Sequence, residues 1–211
     1  MKRGLVRIYH KLYAAFGPQY WWPADGPFEV IVGTILTQNT SWNNVEKAIG
    51  VLKRHKLLSP ERLNRIKVSR LAGFIRSAGY YNIKARRLKN FLEFFLKEYR
   101  GNIKLMKKCP TSALRRKLLA VNGIGNETAD SILLYALNRP SFVVDAYTKR
   151  IFSRHKLFSK ERDYYKVQDY FQKNLPRSTK LFNEFHALIV KLGKDYCLKN
   201  NPRCVSCPLK E

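Results

Sequence analysis

Acidic residues are scarce in this chain: 15 Asp and Glu stand against 41 Lys and Arg, a formal net charge of +26. A surplus of that size repels itself in a compact fold, so it calls for a polyanionic partner, nucleic acid foremost. An anionic membrane surface, or the lysine bias of some thermophilic proteins, would also account for such a charge. Cysteine is sparse too. There are four, and three of them crowd the last fifteen residues, which argues against a disulfide framework and for a metal site. Long apolar runs are missing. The longest, around Val30 to Leu36, is far too short to span a bilayer. Arg7, His10 and Lys11 interrupt any apolar stretch that Lys2 and Arg3 could open as a secretory leader. The expectation is a soluble cytoplasmic protein with no membrane partner, nucleoid-associated in a prokaryote. Repeats, low-complexity tracts and long flexible linkers are absent as well.

Material for a core is plentiful. Hydrophobic residues make up 45% and aromatics 13% of 211 residues, which excludes a disordered chain and suits one compact unit or two small lobes sharing a cleft. The periodicity is helical almost throughout. Leu5, Ile8, Leu12 and Phe16 form one amphipathic stripe; Ile83, Leu88, Phe91, Leu92, Phe95 and Tyr99 form another, ending before Gly101. Ser69 and Gly79 read as the cap and stop of a short helix. Val45 to Leu52, Ala129 to Leu137, Ala146 to Phe152 and Phe182 to Leu192 read as further helices. Val143 and Val144 hint at a strand, but no alternating partner exists for a sheet. The expected class is all-α.

Two segments carry chemistry. In Leu118-Leu119-Ala120-Val121-Asn122-Gly123-Ile124-Gly125-Asn126-Glu127-Thr128-Ala129, an apolar helix runs into Gly-Ile-Gly and a new helix follows at once. Two glycines let the backbone turn tightly and approach a ligand. The amides opening the next helix then point at an anion, and Ile124 anchors the turn. That is what a sequence-independent phosphate clamp needs; an ordinary tight turn is the plainer alternative. In the second segment, Asn138 to Arg150, a Pro-containing loop delivers Asp145 to a helix start. Asp at such a place is usually a structural N-cap, but this one follows the Gly-Ile-Gly turn by twenty residues.

Hairpin, loop and Asp145 together resemble the helix-hairpin-helix–GPD superfamily of base-excision DNA glycosylases. Phe28 to Ile49, with Thr34-Ile35-Leu36-Thr37-Gln38-Asn39-Thr40, resembles the endonuclease III branch. The resemblance implies a two-lobed helical fold: a six-helix barrel over residues 27–139 and a second lobe joining 1–26 to 140–211. The DNA-facing cleft would lie between them with Asp145 at its mouth. The implied partner is double-stranded DNA containing a damaged base, bound by a monomer. Asp145 would stabilise positive charge on the sugar and orient or deprotonate a water.

Bifunctional members of the branch carry a Schiff-base lysine in the second hairpin helix, and the matching residue here is Glu127. A carboxylate cannot form a Schiff base, and Lys84, Lys117 and Lys149 do not fall at that position. The resemblance therefore implies a monofunctional glycosylase that uses water. Glu127 would line the base pocket or pair with a neighbouring Arg.

Trp21 and Trp22 before Pro23, and Trp42 after the Thr37–Thr40 loop, suit an aromatic slot for a flipped base, with core packing as the alternative. With Glu127 they resemble the endonuclease III-type 3-methyladenine DNA glycosylases. The main rival is an endonuclease III-like enzyme for oxidised pyrimidines; another is a non-catalytic helix-hairpin-helix DNA binder.

Gln38 matches the family position that fills the hole left by the flipped base, unless it only caps a helix end. Asn82, Lys84, Arg86 and Arg87 form a basic shoulder, for backbone phosphate or simply for solvent. The spacing of Cys197, Cys204 and Cys207 is similar to the first three ligands of the branch's [4Fe-4S] loop. A fourth is expected after five more residues, but the sequence stops at Glu211. Three alternatives stay open: a cluster with another ligand, a loop without metal, or a site closed by something else. Lys199, Arg203 and Lys210 would in any case suit phosphate.

Overall fold

A computed structural model describes residues 2–159 and 161–210. Met1, Lys160 and Glu211 lie outside the described residues, including the two chain ends named in the expected division. Every regular element described is helical, and Val143 and Val144 lie in an extended stretch without strand pairing. No helix among the described residues is long and apolar enough to cross a membrane.

The chain divides into two compact units, one of residues 1–22 and 139–211 and one of residues 23–138. The first contains α1 (Lys2–Phe16), α10 (Ala146–Arg154), α11 (Tyr164–Asn174) and α12 (Thr179–Asp195). Its core is aromatic. Phe142 stacks on Phe171 at 4.2 Å, and Phe152, Phe182 and Phe185 meet that pair edge to face. Local chemistry sets the helix starts: Asp163 accepts from the amides of Tyr165 and Lys166, and Ser178 from that of Leu181.

The second unit holds α2 (Pro27–Leu36), α3 (Trp42–Arg54), α4 (Pro60–Arg65), α5 (Val68–Phe74), α6 (Tyr81–Tyr99), α7 (Ile103–Lys108), α8 (Thr111–Leu119) and α9 (Asn126–Ser131). Proline opens α2, and residues 30–36 of that helix are buried on all sides, so α2 runs through the core. The long α6 packs on α2, α4, α5 and α7. Its buried stripe is Ala85, Leu88, Phe91, Leu92, Phe95 and Tyr99.

Two helix expectations change. The amide of Leu71 bonds to the Lys67 carbonyl, so α5 starts ahead of Ser69, which lies inside it. Gly79 closes a 3₁₀ turn at Arg76–Ala78 instead of α5, with φ +68°. The single helix expected over Ala129 to Leu137 is α9 followed by a wider π-helical segment, Ile132–Ala136, where the Leu137 amide reaches back to the Ile132 carbonyl.

Candidate active site

In the second unit, α8, the Val121–Gly125 turn and α9 form the hairpin. Arg115 on α8 clamps it. Its Nε and Nη2 donate to both oxygens of the fully buried Asp130 at 2.8 Å, and Nη2 also reaches Asn126 Oδ1. Ile124 is 4% exposed and pins the turn to the core.

The two glycines have different reasons. Gly123 has φ +94°, and a Cβ there would lie 2.2 Å from Arg87 Cγ. Gly125 has an ordinary extended backbone, φ −89° and ψ −179°, and a Cβ there would meet no atom within 4 Å. Nothing in the surrounding unit demands glycine at 125. Glu127 is exposed in the first turn of α9, next to these amides.

Gln38 is held against the hairpin. Its Nε2 donates to the Gly123 carbonyl at 3.0 Å and to Thr128 Oγ1 at 2.9 Å, and its Oε1 accepts from Arg87 Nη1. The amide that the resemblance assigns to a base-pair hole is occupied by protein.

Lys84 corrects the sequence reading. It is 1% exposed, and its Nζ donates to the carbonyls of Leu36 at 2.8 Å and Ala78 at 2.7 Å. Those carbonyls end α2 and the 3₁₀ turn, where helical partners run out. A lysine so placed cannot reach a phosphate. Burial, with the Arg87 charge adding to it, lowers its pKa to about 8. Asn82 and Arg86 on the same helix are exposed.

Trp42 lines a cavity of about 350 Å³ together with Asp25, Glu29, Glu46, Ile49 and Lys53. The Lys53 ammonium bridges Asp25 and Glu29 at 2.8 and 2.7 Å. Trp21 and Trp22, in the first unit, are half-buried, and their rings lie 4.8 Å apart at 50°.

Asp145, also in the first unit, is both N-cap and buried acid. Oδ1 accepts from the Thr148 amide at 2.7 Å and the Thr148 hydroxyl at 2.8 Å, starting α10. Oδ2 lies 3.6 Å from His186 Nε2. Burial by itself would raise this carboxyl; the His186 charge and the bonds from Thr148 outweigh it, and the net shift is downward. Asp145 therefore stands ionised. Arg150, one turn on, locks α10 to the end of α12 through the carbonyls of Cys197 and Gly193 at 2.8 and 3.0 Å. His186 escaped the sequence reading. A lone His beside Phe185 on an apolar helix face gives no motif, and only the fold brings it to Asp145.

Cys197, Cys204 and Cys207 border one cavity of about 300 Å³, with Arg154, His155 and Arg203. Arg154 Nη1 lies 3.2 Å from Cys197 Sγ. Burial pushes the Cys207 thiol up. Among the described residues, no three His, Cys, Asp or Glu side chains converge to hold a metal ion. The three thiols at this cavity are one short of the four that a cubane ordinarily takes.

Comparison with known proteins fits this geometry. A family model for HhH-GPD superfamily base excision DNA repair proteins matches residues 32–177. A Methanocaldococcus jannaschii protein, provisionally named a DNA repair glycosylase, is 49% identical over 209 residues, covering 98% of this chain and 94% of the relative. An endonuclease III of Thermotoga maritima is 29% identical over 184 residues, covering 87% and 81%. Among solved structures, the H. pylori 3-methyladenine DNA glycosylase bound to 1,N6-ethenoadenine superposes with a TM-score of 0.79 at 30% identity, covering 90% of this chain and 97% of that one. A non-covalent endonuclease III–DNA complex superposes with a TM-score of 0.82 at 22% identity, covering 99% and 92%, a likeness of fold.

Proposed function

Because the chain belongs to the HhH-GPD superfamily of base excision DNA repair proteins and is a DNA repair glycosylase, we propose that it hydrolyses the N-glycosidic bond of an alkylated purine, such as 3-methyladenine, in double-stranded DNA. Two carboxylates, one in each unit, carry this reading: Asp145, nearly buried at the start of α10 with its carboxyl shifted downward, and Glu127 on α9 where a Schiff-base enzyme needs an amine.

Each part has a physical task. The hairpin amides, with open space at Gly125, take a backbone phosphate. The paired indoles of Trp21 and Trp22 offer π faces to a flipped base, and a purine alkylated on a ring nitrogen, such as 3-methyladenine, is cationic. A cationic base leaves readily, so the protein must mainly steady the sugar. As the C1′–N bond breaks, positive charge grows on the sugar, and the Asp145 carboxylate stabilises it. Thr148 fixes Oδ1, and Oδ2, which faces His186 Nε2 at 3.6 Å, is the oxygen for the chemistry. Water then adds its oxygen to C1′ and gives a proton to the carboxylate. Similarity to the H. pylori 3-methyladenine glycosylase supports the substrate class.

The identity to the Thermotoga maritima endonuclease III favours a second reading, an enzyme for oxidised pyrimidines with lyase chemistry. A panel of lesion-bearing duplexes separates the two. The proposal expects release of 3-methyladenine, strand breaks only after alkali, and no adduct on borohydride treatment of abasic DNA. Release of thymine glycol with a trapped covalent adduct overturns it. Asp145→Asn should keep DNA binding and lose excision.

A further inference from the structure

Helix α6 sends a row of side chains, three residues apart, into the two loops that carry the DNA-facing groups of the second unit. Lys84 holds the Leu36 carbonyl at the end of α2. Arg87 donates to Gln38 Oε1, and its aliphatic stem lies against Gly123. Asn90 Nδ2 donates to the Asn122 carbonyl in the hairpin turn at 3.0 Å. One helix face thus grips the Gln38 loop and the hairpin together.

Gln38 is the moving part of this arrangement. A primary amide has one carbonyl oxygen and one NH₂ group to offer. Here the oxygen is taken by Arg87, and the NH₂ by Gly123 and Thr128. In this state Gln38 has little left with which to pair an orphaned nucleobase, so filling the hole requires these bonds to break.

We propose that Arg87 is a positioning residue that stores Gln38 on the hairpin and releases it when the hairpin docks on phosphate. The inference rests on the reading of Gln38 as the hole-filling residue. Release follows from contact. The Arg87 stem covers Gly123, so a phosphate seated at the turn sits close to the guanidinium and competes with Gln38 Oε1 for it. An anion is the stronger acceptor for that group. Undocked protein keeps the wedge retracted; docked protein frees it.

The test is a double-mutant cycle on single-turnover excision and on 2-aminopurine fluorescence beside the lesion, which reports base flipping. Arg87→Met keeps the stem over Gly123 and removes the donor. It should raise the flipping rate about tenfold, the factor for losing one hydrogen bond to a charged group from the resting state. Gln38→Ala should lower excision, and adding Arg87→Met to it should change nothing further. Arg87→Lys, which keeps charge without the planar fork, should resemble Arg87→Met in flipping and wild type in the salt dependence of binding. If Gln38→Ala leaves excision unchanged, the hole-filling reading falls. If Gln38→Ala lowers excision but Arg87→Met lowers it too, equally with and without Gln38, Arg87 holds DNA directly and the storage proposal falls. Thermal melting of each variant separates either result from simple unfolding.

Discussion

Alanine at Gly125 and alanine at Gly123 should fail in different assays. At Gly123 the backbone is left-handed, which costs a side chain about 1–2 kcal/mol. The new methyl would also sit 2.2 Å from Arg87 Cγ, so the arginine stem must leave. That move gives up the Arg87 bond to Gln38 as well. Together these place Gly123→Ala about 2–4 kcal/mol below wild type in folding stability. At Gly125 neither cost arises, because the backbone suits any residue and the methyl meets no protein atom. Only the weaker capping of alanine remains, within about 1 kcal/mol. The same methyl stands where a phosphate oxygen would approach the amides. Loss of one charge-assisted hydrogen bond there weakens binding by about 10- to 100-fold. Denaturant titration reads the first quantity, and fluorescence anisotropy with an undamaged duplex at fixed salt reads the second. A Gly125→Ala protein that binds duplex as tightly as wild type refutes the anion grip. One destabilised as much as Gly123→Ala refutes the steric account.

Three more outcomes follow from buried charges. His186→Phe removes the group that most lowers the Asp145 carboxyl, so the acid limb of the excision–pH profile should move to higher pH; an unmoved limb shows that His186 does not tune it. A lowered carboxyl adds stability above its unfolded value of 3.8 and loses it as pH falls through the folded value, so this variant should also lose stability at neutral pH. Lys84 runs the other way. Between about 8 and 10.5 the unfolded chain holds a proton that the fold has shed, so wild type should gain stability with rising pH across that window, and Lys84→Met should not, by denaturant titration. Asp130→Asn leaves the Arg115 guanidinium without its carboxylate and should cost about 3 kcal/mol in the same measurement.

What the sequence disclosed was local. Gly-Ile-Gly between apolar helices, the α6 stripe and Asp145 before a helix all depend on neighbours within a few residues. Lys84 was misread because a lysine in isolation belongs in water. Only the closing of α2 and the 3₁₀ turn over it creates carbonyls that need its ammonium. His186 and the clamp of Arg115 on Asp130 were likewise silent, since each pairs groups that secondary-structure patterns do not connect. The π-helical segment after α9 was hidden because its apolar pattern is also that of an ordinary helix.

Asp145 spends one oxygen on the start of α10, and the chemistry proposed for it falls to the other. Asparagine at that position retains an acceptor for Thr148, so the helix start survives while the negative charge vanishes. Alanine forfeits both at once. Anyone wanting an inert form that still clasps lesions, for cocrystallisation or for capturing damaged fragments from a genome, should choose the amide over the methyl.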